Sequence, residues 1–360
     1  MRVLVTGASG NIGTALLRRL AAEPDATVVG LARRVPKGRV DFPYDTCEWV
    51  ACDVADPDCR DALVEACQDA TAVVHLAWAL QPSHNEPRLI QTNVEGSQHV
   101  FDAAVQAGVP QVVYLSSVGA YSPGRKDTPV NESWPTDGVA ASSYSRHKST
   151  VERLLDKIES EGHDTRFVRL RPGLVFQRAA ASEIARYFLG PFAPLSLLRV
   201  AHPPLLPLDE RMVFQCVHAD DVAEAIVRAI RQRASGAFNI AADPVLTPRD
   251  LGELLGARFL PVRGGLLHQA AGLVWRLRLQ PTEPGWIDLA LAAPVMSTER
   301  ARRELGWTPR HDAREALREL LDGLAHGTGA GSAVMRPRES VPTRVTDLLR
   351  GRLPGTTVLT

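Results

Sequence analysis

The first half of the chain alternates short apolar runs with longer stretches whose apolar positions recur at helical spacing. Val3–Val5, Thr27–Leu31, Glu48–Cys52, Ala72–Leu76, Gln111–Ser116 and Arg166–Arg171 read as strands. Ile12–Ala21, Arg60–Cys67, Asn93–Ala107 and Ser143–Glu161 read as helices between them. Strands that alternate with helices require right-handed crossovers, which predicts a parallel sheet covered on both faces. Val73-Val74 and Val112-Val113 suit such doubly buried strands.

After Pro172 the pattern changes. Residues 184–208 are apolar and rich in proline, from Tyr187 and Phe188 to Pro203-Pro204-Leu205-Leu206-Pro207. Val213–Val217 and Gly236–Ala241 read as strands, and Val222–Ile230 as a helix. Asp221-Val222-Ala223-Glu224 has the spacing of a capping box with Asp in the hydroxyl role. Residues 247–325 read as mainly helical and end in the charged helix Asp312–Leu324. From His326 onward Gly, Pro, Arg and Thr dominate, and residues 326–360 are expected to be mostly disordered, with a short helix near Asp347-Leu348-Leu349. The expected division is a nucleotide-type domain over 1–175, to which 209–242 return, and a smaller lobe from 176–208 and 243–325.

Bulk properties narrow the classes. With 360 residues, 45% of them hydrophobic, the chain can bury a large core. Lys+Arg and Asp+Glu balance at 41 each, so no net field favours nucleic acid or acidic membranes. Cys47, Cys52, Cys59, Cys67 and Cys216 lack the close pairs of a zinc site and read as reduced, buried thiols. His218, Asp220 and Asp221 lack a partner His or Cys, so helix capping is preferred over metal binding and no metal is expected. No secretory signal or apolar run of spanning length is read, and a cytoplasmic setting is expected.

The strongest motif is Thr6-Gly7-Ala8-Ser9-Gly10-Asn11-Ile12-Gly13, which leaves a strand and opens a helix. Gly7 permits the tight turn, Gly10 a close approach of backbone to a pyrophosphate, and Gly13 close helix–sheet packing. Free N–H groups and the positive helix end then favour phosphate. Gly7, Ser9, Gly10, Asn11, Ile12 and Gly13 are therefore the expected cofactor contacts, in a doubly wound α/β fold of Rossmann type. The next strand ends in Ala32-Arg33-Arg34 rather than in the carboxylate that binds a ribose 2′-hydroxyl. Arg33 and Arg34 can clamp a 2′-phosphate, so NADP is favoured and NAD remains admissible; the alternative is that both are solvated surface charge. Asp53 and Val54 are placed for the adenine, and Leu76 and Ala77 along the cofactor.

Chemistry is supplied by Ser117 after the strand from Gln111 and by Tyr144-Ser145-Arg146-His147-Lys148. Tyr144 and Lys148, four apart, share a helix face. A free phenol titrates near pH ~10, too high for a base at neutral pH, and a nearby ammonium lowers it. A hydroxyl such as Ser117 can hold the substrate oxygen that exchanges the proton.

With these motifs in register, residues 1–325 resemble the extended short-chain dehydrogenase/reductase superfamily, specifically the NAD-dependent epimerase/dehydratase family. The resemblance implies that Ser117, Tyr144 and Lys148 are catalytic, Ser117 being selected over Ser116 because Tyr121 follows four positions later. It implies that Tyr144 and Lys148 also touch the cofactor, with Lys148 on the nicotinamide ribose. Asn93 matches a helix asparagine that supports such sites, in a catalytic or a merely structural role. By the same analogy the chain is expected to form a homodimer through Asn93–Ala107 and Ser143–Glu161.

The family's nucleotide-sugar enzymes place an asparagine after the strand leaving the site. Here the run is Arg171-Pro172-Gly173-Leu174, and Leu174 lacks the amide's hydrogen bonds. Val118-Gly119-Ala120 also lacks the acidic pair of the dehydratases. The Arg-Pro-Gly form resembles the reductase and hydroxysteroid-dehydrogenase-like branches. Phe188, Phe192, Leu197, Leu198, Leu205, Leu206, Leu266, Leu267, Trp275 and Trp286 either line an apolar substrate region or form the core of the smaller lobe. Three functions are weighed: a hydride-transferring oxidoreductase on a small or apolar alcohol or carbonyl compound, a nucleotide-sugar epimerase with retained NAD, and a non-catalytic NADP-binding regulator.

Overall fold

The computed structural model describes residues 1–36, 40–81, 83–190, 195–199 and 201–337. Phe192, the Leu197 side chain and Asp347-Leu348-Leu349 lie outside this part. The chain builds β1 (Arg2–Thr6), α1 (Asn11–Ala21), β2 (Thr27–Ala32), β3 (Glu48–Ala51), α2 (Arg60–Cys67) and β4 (Ala72–His75). Helix α3 follows as Glu86–Ile90, a π-turn Gln91–Glu95 and Gly96–Gln106. Next come β5 (Gln111–Leu115), α4 (Ser143–Ser160), β6 (Arg166–Pro172), α5 (Ala219–Arg231) and β7 (Gly236–Ile240). Every strand pair in the resulting seven-stranded sheet is parallel, in the order β7-β6-β5-β4-β1-β2-β3. The order reverses between β1 and β4, the switch point at which open α/β sheets bind ligands.

Each face of the sheet carries its own apolar layer. Leu16, Leu17 and Leu20 of α1 and Ile226 and Ile230 of α5 cover one face. Leu63, Phe101, Val151 and Leu155, from α2, α3 and α4, cover the other. That double burial explains why the strands read as continuous apolar runs. β7 extends the sheet beside β6.

The differences from expectation are local. Helix α3 begins at Glu86 rather than at Asn93, because the Asn85 side chain caps the Arg88 N–H at 3.2 Å and Pro87 occupies the first turn. Helix α5 begins at Ala219 rather than at Val222. His218 is its cap, and the Asp221 carboxylate instead accepts the Arg310 N–H at 2.8 Å and the His311 N–H at 3.1 Å. The smaller lobe contains α6 (Gly264–Arg276), α7 (Ala313–His326) and a strand, Arg258–Pro261, that pairs with Leu205–Leu208. Residues 326–337 are ordered, contrary to the disordered tail expected from their composition.

One buried ion pair ties the sheet to α4. Arg171 on β6 donates Nε and Nη2 to the two carboxylate oxygens of Glu152 on α4, each at 2.9 Å. Ser116, at the end of β5, donates to the same carboxylate at 2.6 Å. Burial pushes the Glu152 carboxyl up, but Arg171, Ser116 and Arg169 outweigh it and hold the pKa below the ordinary value. Removing one partner of such a pair strands the other charge in a dry interior. Glu152→Ala should therefore lower folding stability by about 3–5 kcal/mol, read as a fall in denaturation midpoint at unchanged slope.

Candidate active site

The Gly-rich turn is built at the switch point. Gly7 has φ +69°, and a Cβ on it would lie 2.7 Å from the Ala77 nitrogen, so the turn presses against the end of β4. A Cβ on Gly13 would lie 2.4 Å from the Gly7 carbonyl oxygen, so α1 approaches the turn only without a side chain. The first turn of α1 contains no acidic residue, and its N-cap, Gly10, makes no side-chain capping bond. That end of the helix is shaped for an anion.

Its surroundings are partly occupied by protein groups. Gln177 donates to the Asn11 carbonyl and side-chain oxygens at 2.8 Å each, and Asn11 Nδ2 donates to the Val175 carbonyl at 3.0 Å. The segment after α7 runs over the turn. Ser332 Oγ donates to the Ser9 carbonyl at 2.7 Å, and Met335 is fully buried against Thr14. Arg186 holds the Val334 and Arg336 carbonyls, the latter at 2.9 Å. These bonds and one buried methionine order residues whose composition reads as disordered.

Glu183 is buried in the same region. Burial pushes its carboxyl up to about 7, while Arg186 and hydrogen bonding from Tyr187 and the Asn11 N–H pull the other way. Its Oε2 has no hydrogen-bond partner among the described residues. Arg33 and Arg34 are exposed at the end of β2, and Arg33 is near enough to Tyr187 to act on it electrostatically. Asp53 accepts from Arg88 at 2.7 Å and from the Ala55 N–H at 3.1 Å, while Val54 is buried against Gly96 of α3. Leu76 and Ala77 are half-buried beside Gly7.

The Ser-Tyr-Lys set converges at the ends of β4 and β5. Tyr144 is half-buried, and desolvation pushes its phenol up to about 12, opposed by Ser117. A Cβ on Gly119 would meet Tyr144 Cε1 at 2.8 Å, so this approach requires glycine. Lys148 does not act on the phenol in this arrangement. Its ammonium donates to the Leu115 carbonyl at 2.7 Å and to the Tyr114 hydroxyl at 3.3 Å. It also lies 3.5 Å from the centre of the Trp78 ring, a cation–π contact. The expected lowering of the Tyr144 pKa is therefore not made, because Trp78 covers the ammonium. Burial pushes Lys148 well below its ordinary value, with Glu152 opposing. Asn93 sits in the π-turn of α3 and clamps the loop after β4, accepting from the Ala79 N–H at 2.7 Å and donating to its carbonyl at 2.9 Å. It holds the backbone next to Trp78.

Beside Tyr144 is a small cavity of about 10 Å³, no larger than one water, lined in part by Leu80, Leu89, His147, Glu283 and Trp286. Trp286 packs on Tyr144 with ring centres 4.7 Å apart, and Phe188 meets Trp286 edge-on at 4.9 Å. Glu283 accepts from the Ser143 N–H at 3.0 Å and hydroxyl at 2.6 Å. Of the apolar residues expected around the substrate, Phe188 and Trp286 reach Tyr144's wall, whereas Leu205 and Leu266 point to solvent. Trp78, His147, Glu183 and Glu283 were not singled out from sequence. Only Trp78 carried a signal, as a large ring directly after Leu76-Ala77.

Comparison with known proteins shows the family and the fold. The family model described as NAD dependent epimerase/dehydratase family matches residues 3–241. The chain is 26% identical over 350 residues to an uncharacterized protein of Mycobacterium tuberculosis, covering 97% of this chain but only 32% of that protein's length. It is 28% identical over 330 residues to a 3-diazoavenalumate denitrifying reductase of Streptomyces sp, covering 86% of this chain and 97% of that one. Among solved structures it resembles the UDP-glucose 4-epimerase of Thermus thermophilus, determined in complex with NAD, with TM-score 0.66, 23% identity, and 90% and 99% of the two chains covered. At that identity the likeness concerns the fold.

A dinucleotide fits the turn: Gly7, Gly10 and Gly13 give it the required shape, and the uncapped N-terminus of α1 suits its pyrophosphate. Glu183 adds a pH dependence. A raised pKa leaves this carboxyl neutral below about 7 and charged above it. Its negative charge beside the anion site then opposes phosphate. Dinucleotide affinity should weaken about fivefold as pH rises through that value. Glu183→Gln should flatten the profile in a calorimetric titration spanning roughly one pH unit on either side of it.

Proposed function

The chain belongs to the NAD dependent epimerase/dehydratase family, and within it we propose an oxidoreductase that moves a hydride between a nicotinamide cofactor and an alcohol or carbonyl compound, small or apolar. The observation that carries this reading is the meeting of Ser117 and Tyr144 over Gly119, where a built Cβ would lie 3.4 Å from Ser117 Oγ and 2.8 Å from Tyr144 Cε1, beside a cavity walled by Trp286, Leu80 and Leu89. The bound dinucleotide would supply the hydride acceptor or donor. The rest is done by side chains. Ser117 orients the substrate oxygen, and Tyr144 gives or takes its proton. The aromatic walls exclude water. Since the cavity is almost filled, substrate entry requires Trp286 or Trp78 to swing aside. Movement of Trp78 also frees the Lys148 ammonium to reach a ribose hydroxyl and the phenol.

NADP is the favoured form, supported by the exposed Arg33 and Arg34 and by the absence of a carboxylate at the end of β2. A second reading, a nucleotide-sugar epimerase with retained NAD, is supported by the likeness to UDP-sugar epimerases. Leu174 at the place of the sugar enzymes' asparagine argues against it.

A screen of NADPH against apolar ketones and aldehydes should show carbonyl-dependent loss of reduced-nicotinamide absorbance. Tyr144→Phe should slow that turnover by roughly 10²–10⁴-fold. Interconversion of UDP-hexoses with no net absorbance change would replace this reading with the epimerase. In parallel, Arg33→Ala should lower affinity for NADP⁺ about tenfold and leave NAD⁺ untouched, as measured by titration of stripped protein.

A further inference from the structure

Helix α6 turns an apolar stripe toward solvent. Leu266, Ala270, Leu273 and Leu277 recur at the spacing of one helical face, and each is exposed. Leu266 and Leu273 are each 59% exposed, Leu277 is 60% and Leu279 is 57%. Leu205 and Leu260, on the paired strands Leu205–Leu208 and Arg258–Pro261, are exposed as well. A surface helix of a soluble domain normally shows the opposite polarity. The inner face accounts for the helix's place in the fold. Trp275 stacks on His84 at 4.1 Å and donates to Ser83 Oγ at 3.0 Å, and Ser83 lines the cavity beside Tyr144. Nothing in that packing uses the outer leucines.

The unpaired charges flanking the stripe are arginines; Asp288, from a neighbouring helix, lies 2.9 Å from His268 of α6. Arg258, Arg263, Arg276 and Arg278 are exposed and form no ion pair among the described residues. No Asp or Glu occurs between Glu253 and Glu283. Asp209, which accepts the Gly264 N–H at 2.6 Å, is already paired with Arg211 at 2.8 Å. The balanced charge of the whole chain conceals this local excess. A second copy seated on the same patch would bring arginines against arginines. The chain's residues 338–360, with Arg338, Arg344, Arg350 and Arg352 against Glu339 and Asp347, are also basic. A surface both apolar and anionic suits the patch: the leucines enter the acyl boundary and the arginines meet phosphate.

We propose that the outer face of α6 docks on membrane surfaces rich in anionic phospholipid. Docking is peripheral, since no helix among the described residues is long and apolar enough to cross a bilayer. It places the lobe that walls the cavity against the lipid. The proposal does not depend on the catalytic reading.

The test is flotation of the full chain with vesicles of phosphatidylglycerol in phosphatidylcholine and with phosphatidylcholine alone. Binding is expected to the anionic vesicles only, and to be released as salt rises. Arg276→Gln and Arg278→Gln should each weaken the partition roughly fivefold. Leu273→Gln with Leu277→Gln should weaken it roughly tenfold or more while leaving the melting temperature unchanged. Failure to float with anionic vesicles would overturn the proposal. So would undiminished binding by the leucine variant, or a concentration-dependent dimer that this variant dissolves in a protein that ignores lipid.

Discussion

The site depends on the bidentate contact between Arg171 and Glu152. It joins the middle of α4 to β6, and Ser116 brings the end of β5 into the same carboxylate. Ser117 is the next residue on one side. Lys148 and Tyr144 are one and two turns back along α4 on the other. The remaining guanidinium nitrogen donates to the Tyr121 hydroxyl at 3.0 Å, and Tyr121 donates to Asn239 of β7 at 2.6 Å. A surface pair in these positions would be screened and loose. Buried and fully hydrogen-bonded, this pair fixes the rotation of α4 about its axis, and so where the phenol points.

Around that fixed frame the site is closed by aromatic side chains rather than by backbone. Trp78 covers the ammonium, Trp286 covers the phenol, and Asn93 holds the backbone beside Trp78. The burial that drives Tyr144 up and Lys148 down belongs to this closed arrangement. On the cofactor side, Glu183 and residues 327–337 crowd the Gly-rich turn in the same way. Both halves of the site are therefore assembled but covered.

The sheet and its helices were legible because doubly buried strands and amphipathic helices have distinct periods. The Gly-rich turn and the Ser-Tyr-Lys set were legible because their chemistry demands fixed residue types at fixed spacings. The start of α3 was missed because Asn85-Glu86-Pro87 looks like a loop until the cap is seen. The ordering of 326–337 was missed because it rests on a few hydrogen bonds and Met335, which composition does not register. Glu183 and His147 are invisible in sequence, since their burial is set by elements far away in the chain. The stripe on α6 has the ordinary period of an amphipathic helix, and no periodicity says which face turns outward.

The most direct test of the account is calorimetric titration of purified, cofactor-stripped protein with NADPH and NADH, beside Gly13→Val. A side chain at position 13 would meet the Gly7 carbonyl oxygen at 2.4 Å, so the variant cannot keep the turn. The account predicts one-to-one dinucleotide binding by the native chain and none by Gly13→Val at equal secondary-structure content. Absence of binding to the native chain, or binding that survives Gly13→Val, would contradict it.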